Sequence, residues 1–297
     1  MPMKTPAAVL AIVGGDRREQ EIARLAVASG ASVRAFGFPL PAGGIAGVAI
    51  AADAAAALRD AWIAILPLPG MKDGCVYAPG VAPGIRIDEA TLRHMAAGGH
   101  VFSGTVNDEL QGLAARLGLH THAYEHHEAS RLLRVPAIVE GAIARIVDNT
   151  DISIHKAAIG VVGHGIVGAA LTRALYALGG VVTVVARDPV QRAGALLTGA
   201  SAVDFPALPA LLPGLDILVT TVPQRLIDAP LLRLLPPDAV AIDLASPPGG
   251  IDHEAAKALG VRSVWARGLG AVAPKTVGRA QWTAVSDTIA RLLDERA

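Results

Sequence analysis

Ala157-Ala158-Ile159-Gly160-Val161-Val162-Gly163-His164-Gly165-Ile166-Val167-Gly168-Ala169-Ala170-Leu171 is the stretch that decides the fold. The apolar run 157–162 reads as a buried strand, and 166–178 carries helical periodicity. Between them stands a G-x-G-x-x-G string that follows a strand and opens a helix, the context in which it carries meaning. Gly163 would make the tight turn, Gly165 would let the backbone approach a pyrophosphate, and Gly168 would allow close helix–strand packing. The helix start offers unpaired N–H groups and a favourable dipole to a phosphate. Gly163, His164, Gly165, Ile166, Val167 and Gly168 are therefore candidate dinucleotide contacts. The alternative is a tight turn in an α/β domain that binds nothing.

The end of the following strand, 181–186, selects the dinucleotide. An NAD site wants an acidic side chain there for the ribose 2′-hydroxyl, whereas an arginine accommodates a 2′-phosphate. Arg187 occupies the slot and favours NADP, its guanidinium suited to pairing with phosphate. Asp188 lies one register step away, and a solvated strand end is the plainer reading of Arg187.

Outward from this unit the chain keeps alternating. Strands are expected at 216–222, 239–245 and 261–265 in the second half. In the first half strands are expected at 8–13, 32–36, 62–66 and 100–102, with helices at 19–29, 53–60 and 107–117. The Pro/Gly-rich stretch 67–84 reads as a long surface loop. This pattern predicts an α/β protein of two Rossmann-like, doubly wound parallel-sheet domains with an interdomain cleft. The expected division is a flavodoxin- or Rossmann-like substrate domain at 1–130, a hinge helix within 131–152, and a nucleotide domain at 153–275. A last helix, 276–297, is expected to pack back on the first domain.

Composition agrees and excludes several classes. At 297 residues the chain suits two domains. Lys+Arg 26 against Asp+Glu 26 removes the electrostatic case for nucleic acid. The single Cys75 excludes an internal disulfide and a multi-cysteine metal site, and it has no sequence-near histidine or cation to activate it. The charge-free run 35–52 is broken by Pro39, Pro41 and four glycines, against a membrane span. The apolar start after Lys4 leads into Gly14-Gly15-Asp16-Arg17-Arg18 rather than a cleavage site, so a cytoplasmic protein is expected. His120, His122, His126 and His127 crowd together without the His-Glu-x-x-His arrangement, so no metal is expected and a solvated strand or loop is the plainer reading. His155 precedes a strand, away from the cofactor end, and reads as structural.

More particular strings follow. They are Asp216-Ile-Leu-Val-Thr-Thr-Val-Pro223, Asp243-Leu-Ala-Ser-Pro-Pro-Gly-Gly250 and Gly268-Leu-Gly-Ala-Val-Ala-Pro-Lys-Thr-Val-Gly278. With Gly14-Gly15-Asp16-Arg17, Phe102-Ser103-Gly104 and Val139-Glu140-Gly141, and in this order, the chain resembles the dipicolinate synthase A-subunit family over nearly its whole length. The resemblance implies an NADP-dependent enzyme that oxidises dihydrodipicolinate to dipicolinate and works with a flavoprotein-like B-subunit. Three departures stand out. The family's Pro-Thr-x-Glu-Gly becomes a Pro136 one residue farther from Glu140, with Ala137 and Ile138 lacking a hydroxyl. A basic residue is replaced by Pro247, and Ala-Pro-Gly-Leu-Pro-Gly by Ala266-Arg267-Gly268-Leu269-Gly270-Ala271. These leave room for a paralogue acting on another small carboxylate.

Aromatising a dihydropyridine ring removes a hydride and a proton, so the protein must chiefly orient the ring and hold two carboxylates. Lys275 is the candidate carboxylate cation, Glu140 the candidate proton acceptor, and Ser103 and Ser246 candidate hydrogen-bonding groups at strand ends. Each has a plainer reading, as a solvated cation, a helix residue or an ordinary turn. Thr221, Val222, Pro223 and Ala245 complete the candidate cofactor contacts. A 2-hydroxyacid dehydrogenase would want an arginine after the 239–245 strand, where Ser246-Pro247-Pro248 stand instead, and His253 is poorly placed for its histidine. A non-catalytic NADP-sensing module is the alternative of another class. A homo-oligomer binding a small dicarboxylate is expected.

Overall fold

The computed structural model describes residues 9–81 and 84–295. The Ala8 start of the first strand, residues 5–8 of the apolar run after Lys4 and the last two residues of the 276–297 helix lie outside them. The chain forms two compact units: unit 1 runs up to Arg134 and resumes at Ala273, and unit 2 is Val135–Val272.

Unit 1 comprises β1 (Val9–Val13), α1 (Arg17–Ala28), β2 (Ser32–Phe36), β3 (Val48–Ile50), α2 (Ala54–Leu58), β4 (Ile63–Ile65), β5 (Met71–Lys72), β6 (Cys75–Val76), β7 (Ile85–Arg86), α3 (Glu89–Leu92), β8 (His100–Ser103), α4 (Asp108–Arg116), β9 (His120–Ala123) and α5 (Glu128–Leu133). Unit 2 contains α6 (Val135–Asn149), β10 (Ala158–Val162), α7 (Ile166–Ala177), β11 (Val181–Val185), α8 (Pro189–Leu196), β12 (Ser201–Val203), α9 (Leu208–Leu211), β13 (Ile217–Thr220), α10 (Ala229–Leu232), β14 (Val240–Asp243), α11 (His253–Leu259) and β15 (Arg262–Trp265). A 3-10 turn at Leu269–Val272 ends it, and α12 (Pro274–Asp294) returns to unit 1.

Six parallel strands in unit 1 take the order β3-β2-β1-β4-β8-β9, and six in unit 2 the order β12-β11-β10-β13-β14-β15. Both are the 3-2-1-4-5-6 winding of a Rossmann-type sheet, and the order reverses beside β1 and β10. The two-domain α/β expectation is met. Central strands such as Leu10–Val13 and Val161–Val162 are wholly buried because helices cover both faces. In β10, Gly160 makes room for Leu215, whose Cδ1 would stand 2.6 Å from a Cβ there.

Within unit 1, α1 begins with a capping box in which Asp16 accepts from the Arg18 amide and Glu19 accepts from the Asp16 amide at 2.7 Å. Trp282, Val285 and Ile289 of α12 join Ile22 and Ala26 of α1 in one apolar core. Gly278 lets these helices touch, since a Cβ there would run into the Arg18 carbonyl.

One expectation changes. The 67–84 stretch is not an irregular loop: β5, β6 and β7 form a small antiparallel sheet. Met71, Val76 and Ile85 are buried in the core, each followed by an exposed residue, Lys72, Tyr77 and Arg86. The run 35–52 contains β3 at the sheet edge, and the histidine crowd contains β9. There His100 Nδ1 lies 2.9 Å from His122 Nε2, and His120 stacks on His100. Among the described residues no three His, Cys, Asp or Glu side chains gather to hold a metal. No described helix is long and apolar enough to cross a membrane.

Candidate functional site

The glycine turn of unit 2 folds into a cradle at the C-terminal end of β10. Gly163 adopts φ +93°, and a Cβ there would meet Thr221 Oγ1 and Val222 Cγ2, each at 2.6 Å. Its amide donates to the Val185 carbonyl at 2.9 Å, fixing the turn against β11. Gly168 faces back on this turn, where any Cβ would collide with the Gly163 carbonyl. Gly165, the N-cap of α7, differs from both: it has no side-chain cap, is exposed, and a Cβ built on it meets no atom within 4 Å. Two glycines are thus required by the protein's own packing, and the middle one faces open space. That space, at the start of a three-turn helix, suits a pyrophosphate.

The other nominated residues surround this cradle unequally. His164 is buried, its Nδ1 has no hydrogen-bond partner among the described residues, and burial lowers its pKa. Ile166 and Val167 lie on the first turn of α7, and Ile166 is exposed. Thr221 donates its hydroxyl to the Val162 carbonyl at 3.1 Å, tying the end of β13 to that of β10, and Pro223 beyond it is exposed. Ala245 is buried, and its carbonyl accepts from Trp265 Nε1 at 2.9 Å.

At the end of β11, Arg187 and Asp188 have different tasks. Asp188 Oδ1 accepts from the Val190 amide at 2.8 Å and caps α8. Arg187 is exposed, and its carbonyl holds the guanidinium of Arg192 at 2.7 Å, as does that of Ala186. Arg192 therefore adds a second cation to the strand end. The sequence reading missed it. Its signal was its place in the first turns of the helix that Asp188 and Pro189 announce.

The nominated catalytic groups fall in both units. Ser246 is exposed in unit 2, just beyond β14. Glu140 is exposed on α6, next to a Gly141 that packs on Leu269. Lys275 is exposed on the first turn of α12 and belongs to unit 1. Ser103, in unit 1, is wholly buried, and its Oγ has no hydrogen-bond partner among the described residues. The 68–70 turn closes over it, for a Cβ on Gly104 would meet Leu68 Cα at 2.8 Å and one on Gly70 would stand 3.3 Å from Ser103 Oγ. A strand-end serine is open to ligand only where the next turn leaves it uncovered, and here packing at Gly70 and Gly104 covers it.

Unit 1 also carries a polar group that the sequence reading passed over. Glu19 is wholly buried, and that burial, opposed by Arg18, pushes its pKa up to about 7. Arg18 is held by Asp16 through two contacts of 2.9 Å and reaches the Leu68 carbonyl at 3.3 Å.

Comparison with known proteins agrees with this geometry. The family profile described as the N-terminal domain of the dipicolinate synthase A-subunit matches residues 9–124. The dipicolinate synthase A-subunit of Bacillus subtilis (strain 168) is 28% identical over 289 residues, 96% of this chain and 97% of that one. The crystal structure of the dipicolinate synthase A-subunit from Bacillus halodurans superposes with a TM-score of 0.85 at 28% identity, covering 96% and 97% of the two chains. The apo D-lactate dehydrogenase of Escherichia coli, at a TM-score of 0.62 and 13% identity over 97% of each chain, shares the dehydrogenase-type fold alone. By sequence and by fold along its length, the chain is similar to dipicolinate synthase A-subunits.

Proposed function

We propose that the chain is an NADP-dependent oxidoreductase that converts dihydrodipicolinate, or a closely related cyclic dicarboxylate, to its aromatic product. The observation that carries this reading is the cradle at Gly163–Gly165–Gly168, open only at its middle glycine, with two arginines at the neighbouring strand end. Similarity to dipicolinate synthase A-subunits along nearly the whole chain supports the substrate. NADP, when bound, supplies the hydride acceptor.

The chain's own residues hold and orient. The α7 start and Gly165 receive the pyrophosphate, and Arg187 with Arg192 receives the 2′-phosphate. Thr221, Val222, Pro223 and Ala245 line the nicotinamide half. Lys275 pairs with a substrate carboxylate as a point charge, and Ser246 donates a hydrogen bond to the substrate. Oxidation removes one C–H bond as hydride and one proton, and Glu140 accepts the proton. The relatives are named as one lettered component of a synthase, which supports a different companion polypeptide, taken here as the flavoprotein-like B-subunit. Self-association into a homo-oligomer belongs to the same reading.

The test is NADPH formation, followed by absorbance, when protein and NADP meet freshly generated dihydrodipicolinate, with the B-subunit present or omitted. Turnover with NADP that exceeds turnover with NAD supports the proposal, and no reduction of either cofactor overturns it. In the active enzyme, Lys275→Met is expected to weaken transition-state binding by about 2–4 kcal/mol, cutting kcat/KM roughly 30- to 1,000-fold. NADP affinity should stay the same. A near-normal kcat/KM would assign the carboxylates to another cation, with Arg267 first in line.

A further inference from the structure

Beyond β14 the chain turns through residues 245–251, and its conformation is organised by one buried carboxylate. Asp243 is wholly buried at the end of β14. Its Oδ1 accepts from the Ala245 amide at 2.9 Å, and its Oδ2 from the amides of Gly250 at 2.8 Å and Ile251 at 3.1 Å. Both ends of the loop are thus gathered on one side chain. Gly249, at φ +86°, leaves room for it, because a Cβ there would stand 2.7 Å from Asp243 Oδ2. The loop presents Ser246, Pro247 and Pro248 to solvent.

The same loop is held a second way, and both ways meet at His253. His253 Nε2 lies 3.3 Å from Asp243 Oδ2, and its Nδ1 lies 3.1 Å from Ser263 Oγ. A carboxylate only accepts, so Nε2 carries the hydrogen, and in the neutral ring Nδ1 accepts from the Ser263 hydroxyl. The ring also stacks on Trp265, centroids 5.4 Å apart and planes 13° apart. Trp265 in turn donates Nε1–H to the Ala245 carbonyl at 2.9 Å. His253 therefore braces the carboxylate that binds the loop's amides and the indole that binds its first carbonyl. With both ring nitrogens engaged, it has no free atom for a substrate.

We propose that His253 is a positioning residue that fixes the 245–251 loop, through Asp243 and Trp265, in the conformation that presents Ala245 and Ser246 to the reacting end of the site. This rests on the reading of Ala245 and Ser246 given above. The effect is on the geometry of hydride transfer and not on the grip on the cofactor's phosphates, which other residues hold. Small displacements of aligning groups cost rate steeply.

The experiment combines amide hydrogen exchange on the full chain, which needs no turnover, with steady-state kinetics. In His253→Ala the amides of Ala245, Gly250 and Ile251 should exchange roughly tenfold faster, while those of central β10 stay protected. The kcat should fall roughly 10- to 100-fold with NADP Kd unchanged. His253→Gln, whose side-chain amide can still donate to Asp243, should restore much of the protection and of kcat, and it carries the test should the alanine variant fold poorly. Unchanged exchange and kcat in both variants would overturn the proposal, as would a glutamine variant as loose as the alanine one. A wild-type protein with no turnover would remove the functional reading, and the exchange result would still decide whether His253 fixes the loop.

Discussion

Arg187 and Asp188 are adjacent in sequence, and either could face a ribose from the end of β11. What separates them is one hydrogen bond, from the Val190 amide to Asp188, which commits the carboxylate to capping α8. Arg187→Ala is accordingly expected to weaken NADP binding by about 2–3 kcal/mol and to leave NAD binding as it was, which calorimetric titration with each cofactor will show. Equal losses for both would mean that the arginine serves the fold. The slot was legible in the sequence, while its occupant needed the cap geometry. Glu19 was not legible at all, because a capping-box glutamate is ordinarily solvated and nothing in Arg17-Arg18-Glu19 announces its burial. Its pKa, raised from 4.5 to about 7 by that burial, links it to stability. Between those values the folded chain keeps a proton that the unfolded chain has released, so stability is full below pH 4.5 and declines as pH rises through 7. Glu19→Gln keeps a capping side chain without the charge. Urea denaturation should show it flattening this decline and gaining about 1–3 kcal/mol over the parent above pH 7. An unaltered pH profile would place the titration elsewhere.

The turn from β10 into α7 is the element that the sequence described most fully. Its three glycines separate in the structure into two that packing demands and one that packing ignores. Gly165→Val should therefore preserve the fold, at the modest cost of a poorer N-cap, and abolish dinucleotide binding by filling the space beside the helix start. Circular dichroism and cofactor titration together check this, and unchanged binding would move the phosphate away from the turn. Aliphatic strands such as β10 and β13 were legible because both faces are buried and the apolar run is unbroken. The edge strands β3 and β12 were not, having three residues each and exposed side chains. The sheet of β5, β6 and β7 was hidden because two-residue strands have no periodicity to read, and its glycines and prolines spoke for a loop. For His120–Ala123 a solvated strand or a loop was legible, and the exposed edge strand β9 is the first of these.

Both units were foreseen as doubly wound sheets, and the reason is chemical economy of pattern: a parallel sheet covered on two faces forces apolar strands to alternate with amphipathic helices. What pattern could not tell is that Lys275 is the second residue of a helix of one unit, three residues after the 3-10 turn that ends the other. Because Val135–Val272 is one uninterrupted stretch with its own apolar cores, a fragment of those residues is expected to fold cooperatively and to bind NADP with affinity near that of the whole chain. Calorimetric melting and titration of the fragment would check it, and a fragment that melts without a transition would show that the cradle depends on unit 1. Unit 1 has no such independence, since Trp282, Val285 and Ile289 complete its core from far along the chain. During synthesis, then, the two halves mature in reverse order. The later-encoded unit is complete as soon as Val272 has cleared the ribosome, while the earlier one waits with Ile22 and Ala26 uncovered until α12 emerges. The cell holds an unfinished first half through the making of the second, and that interval is when a chaperone would find the most to bind.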